Sequence, residues 1–202
     1  MTAPTILTIG HSNHSVEKVI ELANVHGVTA VADVRSLPYS RFNPDFNREF
    51  LQRKLKEKGI VYIFFGRELG ARPEDAAYYN QGKVQYRKLS QSVHFKEGLS
   101  RLLTYAKSFN LVLLCSEKEP LACHRTLLVA RELVALSISV AHIHADGSLE
   151  SHSEAMTRLL RMLGKPDKDL YRTREEIIED ACALQEQRIG YYDEDAREEA
   201  SA

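Results

Sequence analysis

The chain has 202 residues, 44% of them hydrophobic and 27% charged, an ordinary globular composition able to bury one substantial core without disulfides or a structural metal. A formal net charge of −1 excludes a protein that is strongly basic or acidic as a whole, and three cysteines (Cys115, Cys123, Cys182) are too sparse for a secreted disulfide framework. No apolar run approaches a membrane span and the first residues show no basic, apolar leader pattern, so the expectation is a cytoplasmic protein with reduced thiols and no membrane contact.

Residues 5–9 form a short β-rich run ended by Gly10, and Ser15 is placed to cap a helix reaching about His26, with Val16, Val19, Ile20 and Ala23 at helical spacing. Gly27 stops that helix and 28–34 is a second β-branched run, ending at Asp33 and Arg35. Pro38 and the Asn-Pro step force irregular backbone over 36–43; a helix over 48–58, a stop at Gly59 and a third strand over 60–64 follow. Residues 66–82, rich in Gly, Pro and Asn, are expected to form a long exposed loop, and 89–109 one helix. The uniformly apolar run 111–114 predicts a central strand buried on both faces, followed by a helix over 126–136 and a fifth strand over 139–143.

Strands separated by helices predict an α/β domain over 1–164, with a mostly parallel sheet of about five strands flanked by helices and right-handed crossovers. Residues 165–202 are expected to be a helical extension: after a helix over 154–163 and a break at Gly164-Lys165-Pro166, a further helix covers 173–188 and the acidic end beyond Gly190 is left frayed. From Arg172 onward ten acidic residues face four basic ones, leaving a basic excess upstream. That excess gathers between Arg35 and Arg72, interleaved with Tyr39, Phe42, Phe46, Phe50, Tyr62, Phe64 and Phe65. Basic and aromatic residues together suit phosphate neutralisation and base stacking, whereas Phe46 and Phe50, at helical spacing, equally suit a core.

Sites in parallel sheets gather beyond the carboxyl ends of strands. Four polar groups fall there: His11-Ser12-Asn13-His14, Asp33 with Arg35, Cys115-Ser116-Glu117, and His142 with His144. Arg125, at a helix start with Cys123 and His124, suits an anion such as a phosphate or carboxylate. Cys123 is a candidate thiolate nucleophile, against its equally ordinary use as a small buried residue; Cys115, ending a buried strand, reads as core. Glu117 and Asp33 are the acid and base candidates, with a structural ion pair as the plain alternative. Seven residues between Cys115 and Cys123 lack the Cys-x-x-Cys pairing of common zinc sites, so no metal ligands are assigned and the cofactor is left unknown.

Four ordered segments also carry a family resemblance: Thr8-Ile-Gly-His-Ser-Asn-His-Ser15, Asp33-Val-Arg-Ser-Leu-Pro-Tyr-Ser-Arg-Phe-Asn-Pro44, Leu69-Gly70, and Cys115-Ser-Glu-Lys-Glu-Pro-Leu-Ala-Cys-His-Arg125. Together they resemble the domain of unknown function 488 family from about Thr5 to Leu163, with the acidic tail outside. The resemblance singles out His11, Asp33, Arg35, Pro38, Arg41, Glu117, Cys123, His124 and Arg125, and it implies little about mechanism because that family is uncharacterised.

The leading expectation is an enzyme acting on a phosphate-bearing substrate such as a nucleotide or nucleic acid. Glu117, Asp33, His11, His124 and Cys123 are its candidate catalytic groups, and Arg35, Arg41, Arg125, Ser12 and Asn13 its substrate contacts. The alternatives are a noncatalytic module binding the same partners, and a metal or redox protein using Cys115, Cys123 and a histidine.

Overall fold

A computed structural model describes residues 5–40 and 43–199, so Arg41 and Phe42 lie outside the described residues. In chain order the elements begin with β1 (Ile6–Gly10), α1 (Val16–Val25), β2 (Ala30–Asp33), α2 (Arg48–Glu57), β3 (Val61–Phe64) and the short α3 (Gly66–Leu69). A two-stranded ladder, β4 (Tyr79–Asn80) with β5 (Lys83–Val84), leads to α4 (Tyr86–Gln91), α5 (Val93–Ala106) and β6 (Leu111–Cys115). The chain continues through α6 (Arg131–Ala135), β7 (Val140–Ile143), β8 (Leu149–Ser151), α7 (His152–Met162), α8 (Arg174–Ile189) and α9 (Glu194–Glu199).

The main sheet runs β3-β2-β6-β1-β7-β8, parallel throughout except for β8, which returns antiparallel at the edge. The fold is thus the α/β architecture expected, with one strand more. Leu149-Glu-Ser is too short and too polar to read as a strand alone; it exists by pairing with β7.

Local signals explain most boundaries. The Ser15 side chain accepts from the Lys18 amide and opens α1, while Ser151 with Glu154 and Thr173 with Glu176 form capping boxes at α7 and α8. Gly27 and Gly59 follow their helices at φ of 65° and 72°, a left-handed turn that glycine adopts without strain. The single helix expected over 89–109 is broken at Ser92, whose extended backbone ends α4 and whose side chain accepts from the Phe95 amide to start α5. The expected long loop over 66–82 is also corrected: it holds α3, a 3₁₀ turn capped by Asp75 and the β4–β5 ladder. The tail is not simply frayed, because α9 forms, Ala196 is buried and Tyr192 bridges to Lys83.

The sheet separates two apolar layers. Val112 and Leu114 of β6 face a layer with α1 and α2, including Val16, Leu51 and Leu55. Leu111, Leu113 and Cys115 face the other layer, built with α4 to α8 and including Phe95, Leu127, Leu159 and Ile177. Period-2 alternation therefore puts Cys115 on the side where the chain returns at Cys123. The helix α8 belongs to this layer, since it buries Ile177, Ala181 and Cys182 and its Gln185 donates to the Leu121 carbonyl at 2.9 Å.

Strands β1 and β6 are neighbours, with Gly10 opposite Cys115. The chain leaves β1 toward α1 and β2, the other neighbour of β6, toward α2 on one face and leaves β6 toward α6 on the other, the divergence that opens a crevice beside the carboxyl end of β6.

Candidate functional site

A cleft of about 320 Å³ opens above the ends of β2 and β6. Cys115, Glu117, Cys123 and His124 line it from below, and Arg35, Ser36, Tyr39, Arg72, Tyr86 and Tyr191 from around.

The floor is built by the return of one segment. Beyond Cys115 the chain turns outward through Ser116 and Glu117, then a 3₁₀ turn at Pro120–Ala122, capped by Glu119, brings Cys123 back under it. Cys115 Sγ and Cys123 Sγ lie 3.0 and 2.9 Å from the same atom, Glu117 Oε2, and His124 Nδ1 lies 3.6 Å from Cys115 Sγ. His124 Nε2 is 3.0 Å from the Val34 carbonyl, an acceptor only, so this nitrogen carries a proton and Nδ1 turns to the cluster. The helix that follows opens in π form over Arg125–Ala130 before α6, and its first amide, that of Arg125, donates to Cys123 Sγ at 3.4 Å. Such widened turns recur at functional sites.

The electrostatics divide the two thiols. Burial raises the Cys115 pKa well above that of a free thiol, and adjacent Cys123 reinforces the rise. Burial acts the same way on Cys123, yet contact with Cys115 and the charges of Arg125 and His124 outweigh it, and its pKa falls well below the ordinary thiol value. His124 is raised because Cys123 and Glu117 overcome its burial, and Glu117 is raised first by burial and then by Cys123. The cluster therefore shares protons among sulfur, carboxylate and imidazole, with Cys123 the more anionic sulfur.

Behind the cleft, Asp33 and Arg35 form a buried ion pair. Arg35 Nη2 donates to Asp33 Oδ2 at 2.6 Å and its Nε to Oδ1 at 2.9 Å, and the Tyr62 hydroxyl donates to Oδ2 at 2.8 Å. Arg35 Nη2 also donates to the Phe46 carbonyl at 2.9 Å, leaving Nη1 toward His11 Nε2 at 3.4 Å. His11 stacks on Phe46 with ring centres 4.1 Å apart; burial, then the Arg35 charge, push its pKa down to about 4, so it is neutral at pH 7.

Arg125 is fully buried, donating through Nη1 to the Glu117 carbonyl at 2.6 Å and through Nη2 to the Lys118 carbonyl at 3.1 Å. Those donors lace the turn that carries Glu117, where a bidentate clamp on a ligand was expected. Gly10 completes the lacing: a Cβ there would overlap the Glu117 carbonyl.

Of the residues singled out in the sequence, Glu117, Cys123, His124 and Arg35 meet at the cleft, and His11, Asp33 and Arg125 stand behind it as its support. Ser12 and Asn13 lie in the turn after β1, away from the cleft lining; Ser12 has φ of 48° and donates its amide to the Ser116 carbonyl at 2.8 Å. Arg41 lies outside the described residues. The histidine that joins the cysteines is His124, and the fourth polar group does not converge with the other three. His142 is buried between Thr8 Oγ1 at 2.8 Å and His152 Nδ1 at 3.2 Å, and His144 pairs with Glu150 at 3.1 Å.

Within the basic, aromatic segment, Phe46 and Phe65 are buried, while Phe50 and Phe64 are half-buried under Arg53 and Arg48. Tyr39, whose hydroxyl donates to Glu49 at 2.7 Å, is the exposed aromatic among its described residues.

Sequence reasoning missed Arg72, Tyr86 and Tyr191. Arg72 is exposed, with its guanidinium 4.5 Å from the Tyr191 ring centre. The aromatic pair Tyr191-Tyr192 in an otherwise polar tail was the available signal that the extension folds back on the domain.

Among the described residues no helix is long and apolar enough to cross a membrane. Comparison with curated proteins and with solved structures finds no match. The family described as Domain of unknown function DUF488 matches residues 15–131, more than half of the chain and including every group on the cleft floor, and the protein belongs to that family.

Proposed function

We propose that the protein is an enzyme acting on a phosphate-bearing substrate such as a nucleotide, bound in the cleft at the carboxyl ends of β2 and β6. One observation carries this reading: Glu117, Cys123 and His124, whose proton affinities are all displaced by burial and by each other, share one cleft lining with the exposed Arg72 and with Arg35, whose guanidinium is held by Asp33. In this reading Arg72, with Arg35 behind it, attracts the anionic part of the substrate. Glu117 exchanges a proton with it, His124 holds a positive charge beside the reacting atoms, and Cys123 is the anionic sulfur that keeps His124 protonated. Asp33 and Arg125 act through others, the first by fixing Arg35 and the second by fixing the Glu117 turn.

The test is a panel of nucleoside phosphates and simple phosphomonoesters, followed for binding and for turnover. Turnover that falls at least about tenfold in Glu117→Gln, with binding weakened about tenfold in Arg72→Ala, is the expected result. Salt-sensitive binding without turnover would replace it by a noncatalytic binding module. No binding at any phosphate compound would remove the substrate class.

A further inference from the structure

We propose that Cys115, Glu117, Cys123 and His124 are the four ligands of a divalent ion of the zinc class. This stands without the substrate reading, and with the ion bound Glu117, Cys123 and His124 are its ligands, so the proton roles given to them above belong to the metal-free protein. One donor atom from each residue, two sulfurs, a carboxylate oxygen and an imidazole nitrogen, lies within 4.8 Å of the other three. Donors around tetrahedral zinc, at bond lengths of about 2.0 to 2.3 Å, sit roughly 3.3 to 3.8 Å apart. The separations of 2.9, 3.0 and 3.6 Å lie within fractions of an ångström of that arrangement, and the remaining pairs, all within 4.8 Å, reach it by closing roughly 1 Å at most.

Two thiolates with one imidazole and one carboxylate suit zinc or cobalt and are too soft for magnesium or calcium. The surroundings match a ligand set. His124 Nε2 donates to the Val34 carbonyl, the outer hydrogen bond that fixes a ligating imidazole and turns its other nitrogen inward, and the Arg125 amide donates to Cys123 Sγ. Two thiolates and a carboxylate around a dication leave one negative charge, and the buried Arg125 guanidinium supplies the countercharge beside it. The fold also answers the spacing that had argued against a metal. The residues between the cysteines form a 3₁₀ turn that carries Cys123 back beneath the end of β6, so strand and returning turn supply the pair that Cys-x-x-Cys supplies elsewhere.

Protein purified without a polyhistidine tag, stripped by a chelator and titrated with Co²⁺ as the spectroscopic stand-in for zinc tests the assignment. The expected result is one equivalent bound, with a thiolate-to-cobalt charge-transfer band and the intense visible bands of a four-coordinate ion, both displaced by Zn²⁺. Cys123→Ser should lower Co²⁺ affinity at least about tenfold and roughly halve the charge-transfer intensity, because one of two thiolates is gone. Glu117→Gln, a substitution on an exposed turn, should keep the charge-transfer band and shift the visible bands. Cys182→Ser, whose thiol rests on Met156 and is outside the donor group, should leave the charge-transfer band unchanged. Failure of the wild-type chain to bind stoichiometric Co²⁺ or Zn²⁺ overturns the proposal, as does a charge-transfer band that survives loss of both Cys115 and Cys123. Because no substrate enters the experiment, its failure would leave the phosphate-bearing substrate untouched, and failure of the substrate panel would leave the metal site untouched.

Discussion

Asp33 and Glu117 are both carboxylates just beyond strand ends, and in sequence they are equivalent candidates for proton transfer. Their partners separate them. Asp33 is fully buried and accepts from the Arg35 amide, Nε and Nη2 and from the Tyr62 hydroxyl, so both oxygens are occupied and its part is to hold Arg35. Asp33→Asn leaves a guanidinium buried without its counterion and should cost about 3–5 kcal/mol in denaturant unfolding. Among the described residues the hydrogen-bond partners of Glu117 Oε2 are the two thiols, and Glu117 faces the cleft, so Glu117→Gln should lower turnover with little change in unfolding free energy. Gly10 offers a third measurement at this scale. The Glu117 carbonyl occupies the position of its missing side chain, so Gly10→Ala must displace the turn, costing about 1–3 kcal/mol and disturbing the cluster although residue 10 is outside the cleft lining.

At the scale of elements, β1, β7 and α7 carry a buried polar chain, Thr8 to His142 to His152, on the far side of β1 from the cleft. Burial, followed by the neighbouring His152 for His142 and by Arg131 for His152, pushes the two pKa values down to about 2 and about 4. The unfolded chain binds protons at these histidines near pH 6.5, whereas the folded chain does not. Stability from this source is therefore complete above about pH 6.5 and falls as pH drops toward 4, by at most about 1.4 kcal/mol per pH unit for each histidine. Denaturant unfolding across that window should show the loss. His152→Asn, which removes a titrating group and keeps a partner for His142, should flatten it, and an unchanged slope would refute the assignment.

The sequence showed this scale unevenly, for physical reasons. Parallel strands were legible because runs such as Leu111 to Leu114 are apolar on both faces, and α1, α7 and α8 because their caps are local. Strand β8 and the β4–β5 ladder were hidden because short polar segments become strands only through distant or cross-turn pairing. Convergence of three strand ends followed from the parallel pattern. The retreat of Arg125 and Asp33 into support did not, since composition does not reveal which cation finds which carbonyl or carboxylate.

Over the whole molecule, the extension beyond residue 164 is wall and core as well as tail. Helix α8 buries Ile177 and Cys182 in the layer shared with β6, its Gln185 holds the turn before Cys123, and Ile189 and Tyr191 close one side of the cleft. A chain ending at Gly164 should lose on the order of 3–5 kcal/mol or more of unfolding free energy, by exposure of that apolar surface and of the Leu121 carbonyl. Tyr191→Ala should instead leave the unfolding transition nearly in place and weaken ligand binding, because Arg72 loses the ring that it rests on.

In the proposed function the ends of β2 and β6 form one ligand site whose floor is Cys115, Glu117, Cys123 and His124. Amide correlation spectra of isotopically labelled protein, recorded during titration with a nucleoside phosphate, test it directly. The prediction is that shifts concentrate at Arg35, Ser36, Arg72, Ser116, Glu117, His124 and Tyr191, and are lost in Arg72→Ala. Shifts centred elsewhere, such as on the exposed faces of α2 or α8, or no shifts with any phosphate-bearing ligand, would contradict it.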